Sequence, residues 1–227
     1  MIIKRILSFI GIFAAVFIGG ILTVILFPQP LFSHSYTYKY FEIYSNAPIS
    51  QPVFNEVIDQ AIEKVRGSEL YDANYRYDIF LADKSIYNRI DDVVLGKWSV
   101  ARAIDNNVII KRKIEVEEGI VKNDKNQFSL VYVLAHEMTH CLQENKYGKL
   151  KFNPFNHPPM WKLEGYPEYM GRRAGLKDES YTLVLGIEKF LLLIDKNHNG
   201  ILQITENEST PYIYYKGRLM VAYLIDI

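Results

Sequence analysis

The 227-residue sequence predicts an α+β domain set behind one N-terminal apolar helix, and three observations carry that expectation. Apolar and polar residues alternate with the two-residue period of a strand at several places in the first half. Apolar residues at helical spacing dominate the second half. An uncharged run from Ile6 to Phe27 precedes both. Behind it about 200 residues remain, enough for one globular domain with a substantial core.

The run from Ile6 to Phe27 is 22 residues long. At about 1.5 Å per helical residue it spans roughly 33 Å, the thickness of a bilayer core. Lys4 and Arg5 precede it, so the positive-inside rule keeps residues 1–5 cytoplasmic and places residues 28–227 outside. This describes a single-pass protein of the cell membrane with an extracytoplasmic domain. The competing interpretation is a cleaved signal peptide, whose apolar region is shorter, about 7–15 residues, and ends in a small-x-small site. Run length and the missing site favour a retained anchor at residues 6–27.

Tyr36 to Tyr44 is rich in aromatics with a rough alternation and reads as a strand. Ser50 can cap the next element and Pro52 suits its first turn. Phe54, Val57, Ile58, Ala61 and Val65 supply a helical stripe that stops at Gly67. Tyr75, Tyr77, Ile79 and Leu81 alternate with Arg76 and Asp78 as a second strand, and Val108 to Ile110 forms the centre of a third. Trp98 to Ile104 fits strand and loop equally well. Asn123 to Asn126 leads into a helix from about Gln127 to Lys146, with Leu130, Leu134, Met138 and Cys141 as its apolar stripe. Lys149 to Pro159 carries three prolines and reads as a loop. Helices follow near Trp161, over Tyr181 to Ile194 and over Tyr212 to Ile225. There is no internal repeat or low-complexity tract.

Acidic and basic residues balance at 26 each, without a basic patch, which argues against a nucleic-acid partner. Cys141 is the only cysteine, so no internal disulfide can form. It lies about 100° round the helix from His140 and reads as a small buried hydrophobe rather than a ligand or nucleophile.

The chemistry concentrates between Val131 and Glu168. His136-Glu137-Met138-Thr139-His140 is an HExxH motif. On a helix its two histidines project from one face and can share a metal ion, with Glu137 beside them to act on a metal-bound water. Hydrolytic zinc needs three protein ligands and an open position, so two histidines are too few. Glu164 is the best third ligand, because it lies on a downstream helix with Glu168 one turn later. Glu168 can then accept from the far ring nitrogen of one histidine and fix its tautomer.

In this stretch the chain resembles the gluzincins, zinc metallopeptidases typified by thermolysin and by aminopeptidases with a Trp-x-x-Glu-Gly-x-Ala signature. Both parts of their pattern are present in the right order, HExxH at 136–140 and Trp161-Lys162-Leu163-Glu164-Gly165. The gap from His140 to Glu164 is a few residues longer than usual there, and Pro167 replaces a small residue. The resemblance covers about Ser129 to Arg173. It implies a zincin-like catalytic domain in which His136, His140 and Glu164 hold Zn2+. Glu137 then serves as general base toward a peptide or protein substrate, and a Tyr or His stabilises the oxyanion. Candidates for that last role are Tyr214, Tyr215 and His157. It also implies that the strand near Val108 pairs with an extended peptide through its edge.

A second constellation runs from Asp195 to Glu206. Asp195, Asn197 and Asn199, then Gly200, Ile201 and Glu206, fit the spacing of an EF-hand Ca2+ loop. A polar turn between helices accounts for the same residues. The alternative to an enzyme is a membrane-tethered binding or structural protein whose zinc or calcium stabilises the fold.

Overall fold

The computed structural model describes residues 2–124, 126–152, 157–172, 183–195 and 200–226. Helix α1 (Ile2–Leu26) opens the chain. Its segment Ser8–Leu26 has a mean hydropathy of 2.7 and is almost entirely exposed, so it could be a transmembrane span or a signal sequence.

Strands β1 (His34–Tyr38) and β2 (Phe41–Ser45) form an antiparallel hairpin where the sequence predicts one strand. The difference lies at Lys39, which takes φ of 54° and turns the chain. Helix α2 (Gln51–Arg66) buries Phe54, Val57, Ile58, Ala61, Ile62 and Val65, the expected stripe extended by Ile62, and ends at Gly67. Strand β3 (Tyr77–Leu81) follows, then helix α3 (Ile86–Val94), which the sequence reading missed. The Ser85 hydroxyl caps α3 by accepting from the Asn88 amide at 3.0 Å.

Strands β4 (Ala101–Ile104) and β5 (Asn107–Ile110) pair across a turn at Asp105-Asn106, Asp105 having φ of 58°. The ambiguous stretch 98–104 thus divides into loop and strand. The five strands order as β1-β2-β3-β5-β4, parallel between β2, β3 and β5 and antiparallel at both margins. Apolar runs such as Ile79-Phe80-Leu81 and Val108-Ile109-Ile110 bury on both faces. Ile79, Leu81, Val108 and Ile110 join the main core; Phe80 and Ile109 face a smaller cluster on the other side.

Strands β6 (Lys113–Glu115), β7 (Ile120–Asn123) and β8 (Asn126–Ser129) form a small antiparallel sheet that the sequence pattern does not predict. Helix α4 (Leu130–Tyr147) therefore begins three residues later than expected. Residues 126–129 pair with β7, and the Ser129 hydroxyl accepts from the Tyr132 amide at the new start. Helices α5 (Met160–Leu163) and α6 (Gly165–Arg172) bracket Glu164, and α7 (Leu183–Ile194) follows. Strands β9 (Ile201–Thr205) and β10 (Glu208–Pro211) make a hairpin before helix α8 (Tyr212–Asp226). Helices α2 and α4 pack on the sheet's inner face, and α6 and α8 continue the core from α4.

Behind β4 lies a buried ionic cluster. Lys111 is 1% exposed, and its ammonium meets Asp91, Asp92 at 3.0 Å and the Gly96 carbonyl at 3.1 Å. Arg102 of β4 reaches Asp91 at 3.3 Å and donates to the Leu95 carbonyl at 3.3 Å. The cluster fastens residues 95–100 to the edge of the sheet. Asp91→Ala leaves the Lys111 charge short of its closest buried partner. It is expected to destabilise the protein by about 3–5 kcal/mol, read as a lower urea midpoint at unchanged slope.

Candidate metal centre

Three elements meet to build the site. Helical periodicity sets His136 and His140 one turn apart on α4, with imidazole centroids 4.9 Å apart. Glu164 enters from the junction of α5 and α6, held in helical conformation at φ of −97°. Its Oε2 lies 3.5 Å from His136 Nε2 and 3.3 Å from His140 Nε2. One donor atom from each of the three residues falls within 4.8 Å of the others, a mostly buried N,N,O group that could hold a metal ion.

The outer partners are as specific as the donors. Glu168 is 1% exposed, and its Oε2 stands 3.5 Å from His136 Nδ1, a buried nitrogen without another partner. The structure thereby settles which histidine Glu168 faces. The same oxygen accepts from the Tyr132 hydroxyl at 2.6 Å, and Oε1 pairs with Arg172. Arg172 also pairs with Glu208 and lies over the Tyr132 ring at 4.3 Å. On the other histidine, Nδ1 lies 3.1 Å from Gln143 Oε1, while Gln143 Nε2 donates to the Lys162 carbonyl at 3.0 Å. Gln143 thus ties His140 to the turn that delivers Glu164.

Sequence reasoning missed Tyr132, Gln143, Arg172 and Glu208. The first three carried a legible signal, each one helical turn from a site residue: His136, His140 and Glu168 respectively. Glu208 arrives from a distant hairpin and carried none. Gln143→Ala is expected to weaken metal binding about tenfold while leaving helix content unchanged, as checked by competition with a chromogenic chelator.

Charge within the group is strongly coupled. Burial disfavours the His136 cation, but hydrogen bonds to Glu164 and Glu168 and the charge of Glu137 outweigh it and push the imidazole up to about 10. Burial also opposes the charges of Glu164 and Glu168, yet both are held well below the usual carboxylate range. His140 and His136 do this for Glu164; Arg172, His136 and Tyr132 do it for Glu168. Glu137 goes the other way. Burial raises it, with His136 and His140 opposing.

The donors open onto a cleft of about 490 Å³ whose walls include Glu137, Tyr214, residues 98–103 and the hairpin end at Ser209 to Pro211. Strand β4 is the sheet margin on this cleft, whereas β5 lies inside the sheet between β3 and β4. The expectation that the strand near Val108 offers its edge is therefore corrected: the free edge belongs to β4.

Of the three oxyanion candidates the structure brings only Tyr214 to the donors, its ring stacked on His136 with centroids 6.3 Å apart. Burial and the nearby Glu164 and Glu137 carboxylates push its phenol up, so it keeps its proton. Tyr215, the next residue on α8, turns the opposite way into a small core with Leu202 and Leu219, its hydroxyl 3.4 Å from the Gly186 carbonyl. His157 is exposed, with Nδ1 2.8 Å from the Pro158 carbonyl, and does not line the cleft. Tyr214 is placed by a close helix crossing. Gly217, one turn along α8, lies so near Gly165 that a Cβ built on Gly165 would stand 2.5 Å from the Gly217 carbonyl carbon.

Cys141 is fully buried and free, and burial pushes its thiol well up, which fits its reading as a small hydrophobe. In the candidate calcium loop, Asn197 and Asn199 lie outside the described residues. Asp195 is exposed at the end of α7, Ile201 begins β9 and Glu206 sits in the hairpin turn. An EF-hand requires a helix after the loop, and here a β-hairpin replaces it.

No protein-family model and no curated protein sequence matches the chain.

Proposed function

We propose that the chain is a membrane-anchored, zinc-dependent metallopeptidase of gluzincin type with a zincin-like catalytic domain. The observation that carries this reading is the convergence of both Nε2 atoms on one Glu164 oxygen, with Glu137 on the same cleft wall but outside the donor group. Two imidazoles and one carboxylate are a donor set suited to hydrolytic zinc, and the buried His136 Nδ1 facing Glu168 at 3.5 Å is the arrangement that fixes a ligand's tautomer. A structural zinc site closes with four protein ligands and needs no base. Among the described residues the donor group has three, and a carboxylate raised by burial stands beside it.

Zinc bound at these three residues would supply Lewis acidity to a water and to the substrate carbonyl. Glu137 accepts the proton of the attacking water, which its raised carboxyl can then pass to the leaving amine. The Tyr214 hydroxyl donates to the developing oxyanion. Strand β4 offers its backbone edge to an extended peptide lying along the cleft. Lys4 and Arg5, at the start of α1 and ahead of its apolar run, support a cytoplasmic N-terminus and an extracytoplasmic site.

The test is metal analysis of the purified full chain followed by incubation with a peptide library. Stoichiometric zinc with cleavage is expected. Stoichiometric zinc without cleavage of any peptide would shift the assignment to a binding or structural protein.

A further inference from the structure

The C-terminal end of α1 is built into the domain. Ile25 is 5% exposed, and two carbonyls that a helix end leaves without intrahelical donors find them in the domain. The Tyr87 hydroxyl donates to the Ile25 carbonyl at 3.3 Å, and Asn107 Nδ2 donates to the Leu26 carbonyl at 3.0 Å. Phe32 then packs on Phe80 and Tyr87, with ring centroids 5.2 and 6.5 Å apart. No free linker separates the apolar helix from the folded core. Helix α3, which carries Tyr87, sits beside the point where α1 leaves the domain.

The two sides of α3 differ in a way the fold does not require. Tyr87 and Asp91 face inward and are fully buried. Ile86 and Val93, seven residues apart and so on one side, are 57% and 84% exposed. Val93 is the most exposed large hydrophobe among the described residues. Beyond α3, Trp98 is 74% exposed, and Phe27 at the end of α1 is 62% exposed. The exposed charges here, Lys84, Arg89 and Lys97, are all basic. The neighbouring acids are engaged: Asp91 with Lys111 and Arg102, Asp92 with Lys111 and Arg112, and Asp83 with the backbone amides of Ile114 and Lys84.

Aliphatic residues, a tryptophan and cations beside the emerging end of an apolar helix have the composition of a membrane-interface element. We propose that the outer face of α3, with Phe27 and Trp98, lies in the headgroup layer of an anionic bilayer next to α1. The domain is then held in one orientation on the membrane instead of swinging on a tether. Trp98 also lines the cleft, so one rim of the candidate site faces the lipid surface and favours peptide segments close to it. This inference rests on α1 crossing the membrane and is independent of hydrolysis.

The test uses the full chain in nanodiscs of phosphatidylcholine and phosphatidylglycerol, with Trp161→Phe leaving Trp98 as the sole tryptophan of the two. Brominated acyl chains are expected to lower Trp98 emission about twofold or more relative to plain discs. Combined Lys84→Glu and Arg89→Glu, both at exposed positions away from the donors, should largely abolish that quenching. A nitroxide on Val93→Cys supplies a second readout, since Cys141 is buried: it should be more accessible to oxygen than to a water-soluble nickel complex. Equal emission in brominated and plain discs, quenching indifferent to the charge reversal, a water-exposed nitroxide, or failure of the chain to enter the discs would each overturn the proposal. None of these readouts depends on bound zinc or on cleavage.

Discussion

Glu137→Gln is expected to leave zinc content unchanged and to lower peptide hydrolysis by about 10²–10⁴-fold, the range for loss of a positioned general base. Three features set that size. Glu137 stands outside the three-residue donor group, so its amide should not disturb metal binding. It lines the cleft and is buried, and burial raises its carboxyl against the opposing pull of His136 and His140. The amide has nearly the same shape but cannot accept the proton. Fold disruption is also disfavoured as a cause, because a neutral amide is easier to bury than a carboxylate. The measurement is single-peptide turnover on both proteins at matched zinc content. Equal turnover would remove Glu137 from the chemistry.

Glu164→Ala carries the second large effect, this time on the metal. Structural zinc sites bind with about 10–16 kcal/mol through four ligands, so one ligand accounts for roughly 3–4 kcal/mol, or about two to three orders of magnitude in affinity. Chelator competition at fixed pH checks it. Retention of full affinity would show that another acid completes the set. The pH dependence has a definite sign. In the metal-free protein the His136 imidazole is pushed up to about 10, so it carries a proton at neutral pH that the metal must displace. Affinity should therefore rise with pH up to about 10 and fall below neutrality, with proton release on binding near pH 7. Losing Glu164 removes one of the two carboxylates hydrogen-bonded to that imidazole, so the pH dependence should weaken along with the affinity.

The contacts around the motif divide its labour along α4. His136, Glu137 and His140 are neighbours on one helix, yet their electrostatic settings diverge. His136 is held by Glu168, which Arg172 and Tyr132 hold in turn. His140 is held by Gln143 and, through it, by the α5 turn. For Glu137, burial outweighs the opposing pull of His136 and His140 and drives the carboxyl toward its neutral form.

How much of this was legible in the sequence depends on range. The stripe of α2, the apolar centres of β3 and β5, and the extents of α7 and α8 follow from periodicity, because each element's pattern repeats along its own length. The hairpin at Lys39 was not legible, since nothing in an aromatic run marks a lysine for the left-handed region. Nor was the small sheet β6-β7-β8, whose short polar strands exist by pairing with one another. The position of the sheet's free edge was hidden for the same reason. Val108 to Ile110 has the stronger strand pattern because β5 is buried on both sides, and an edge strand with one solvated side looks weaker.

That His136 and His140 can share a metal ion was already written in the sequence, because helix geometry converts a spacing of four residues into one shared face. It also marked Glu164 and Glu168, which sit one turn apart for the same reason. Tertiary structure alone decided that Glu168 serves His136, that Tyr214 rather than Tyr215 or His157 reaches the donors, and that β4 walls the cleft. Those outcomes depend on how α6 meets α8 at Gly165 and Gly217 and on the order of strands in the sheet. Such contacts join residues dozens of positions apart, and no local period in the chain records them.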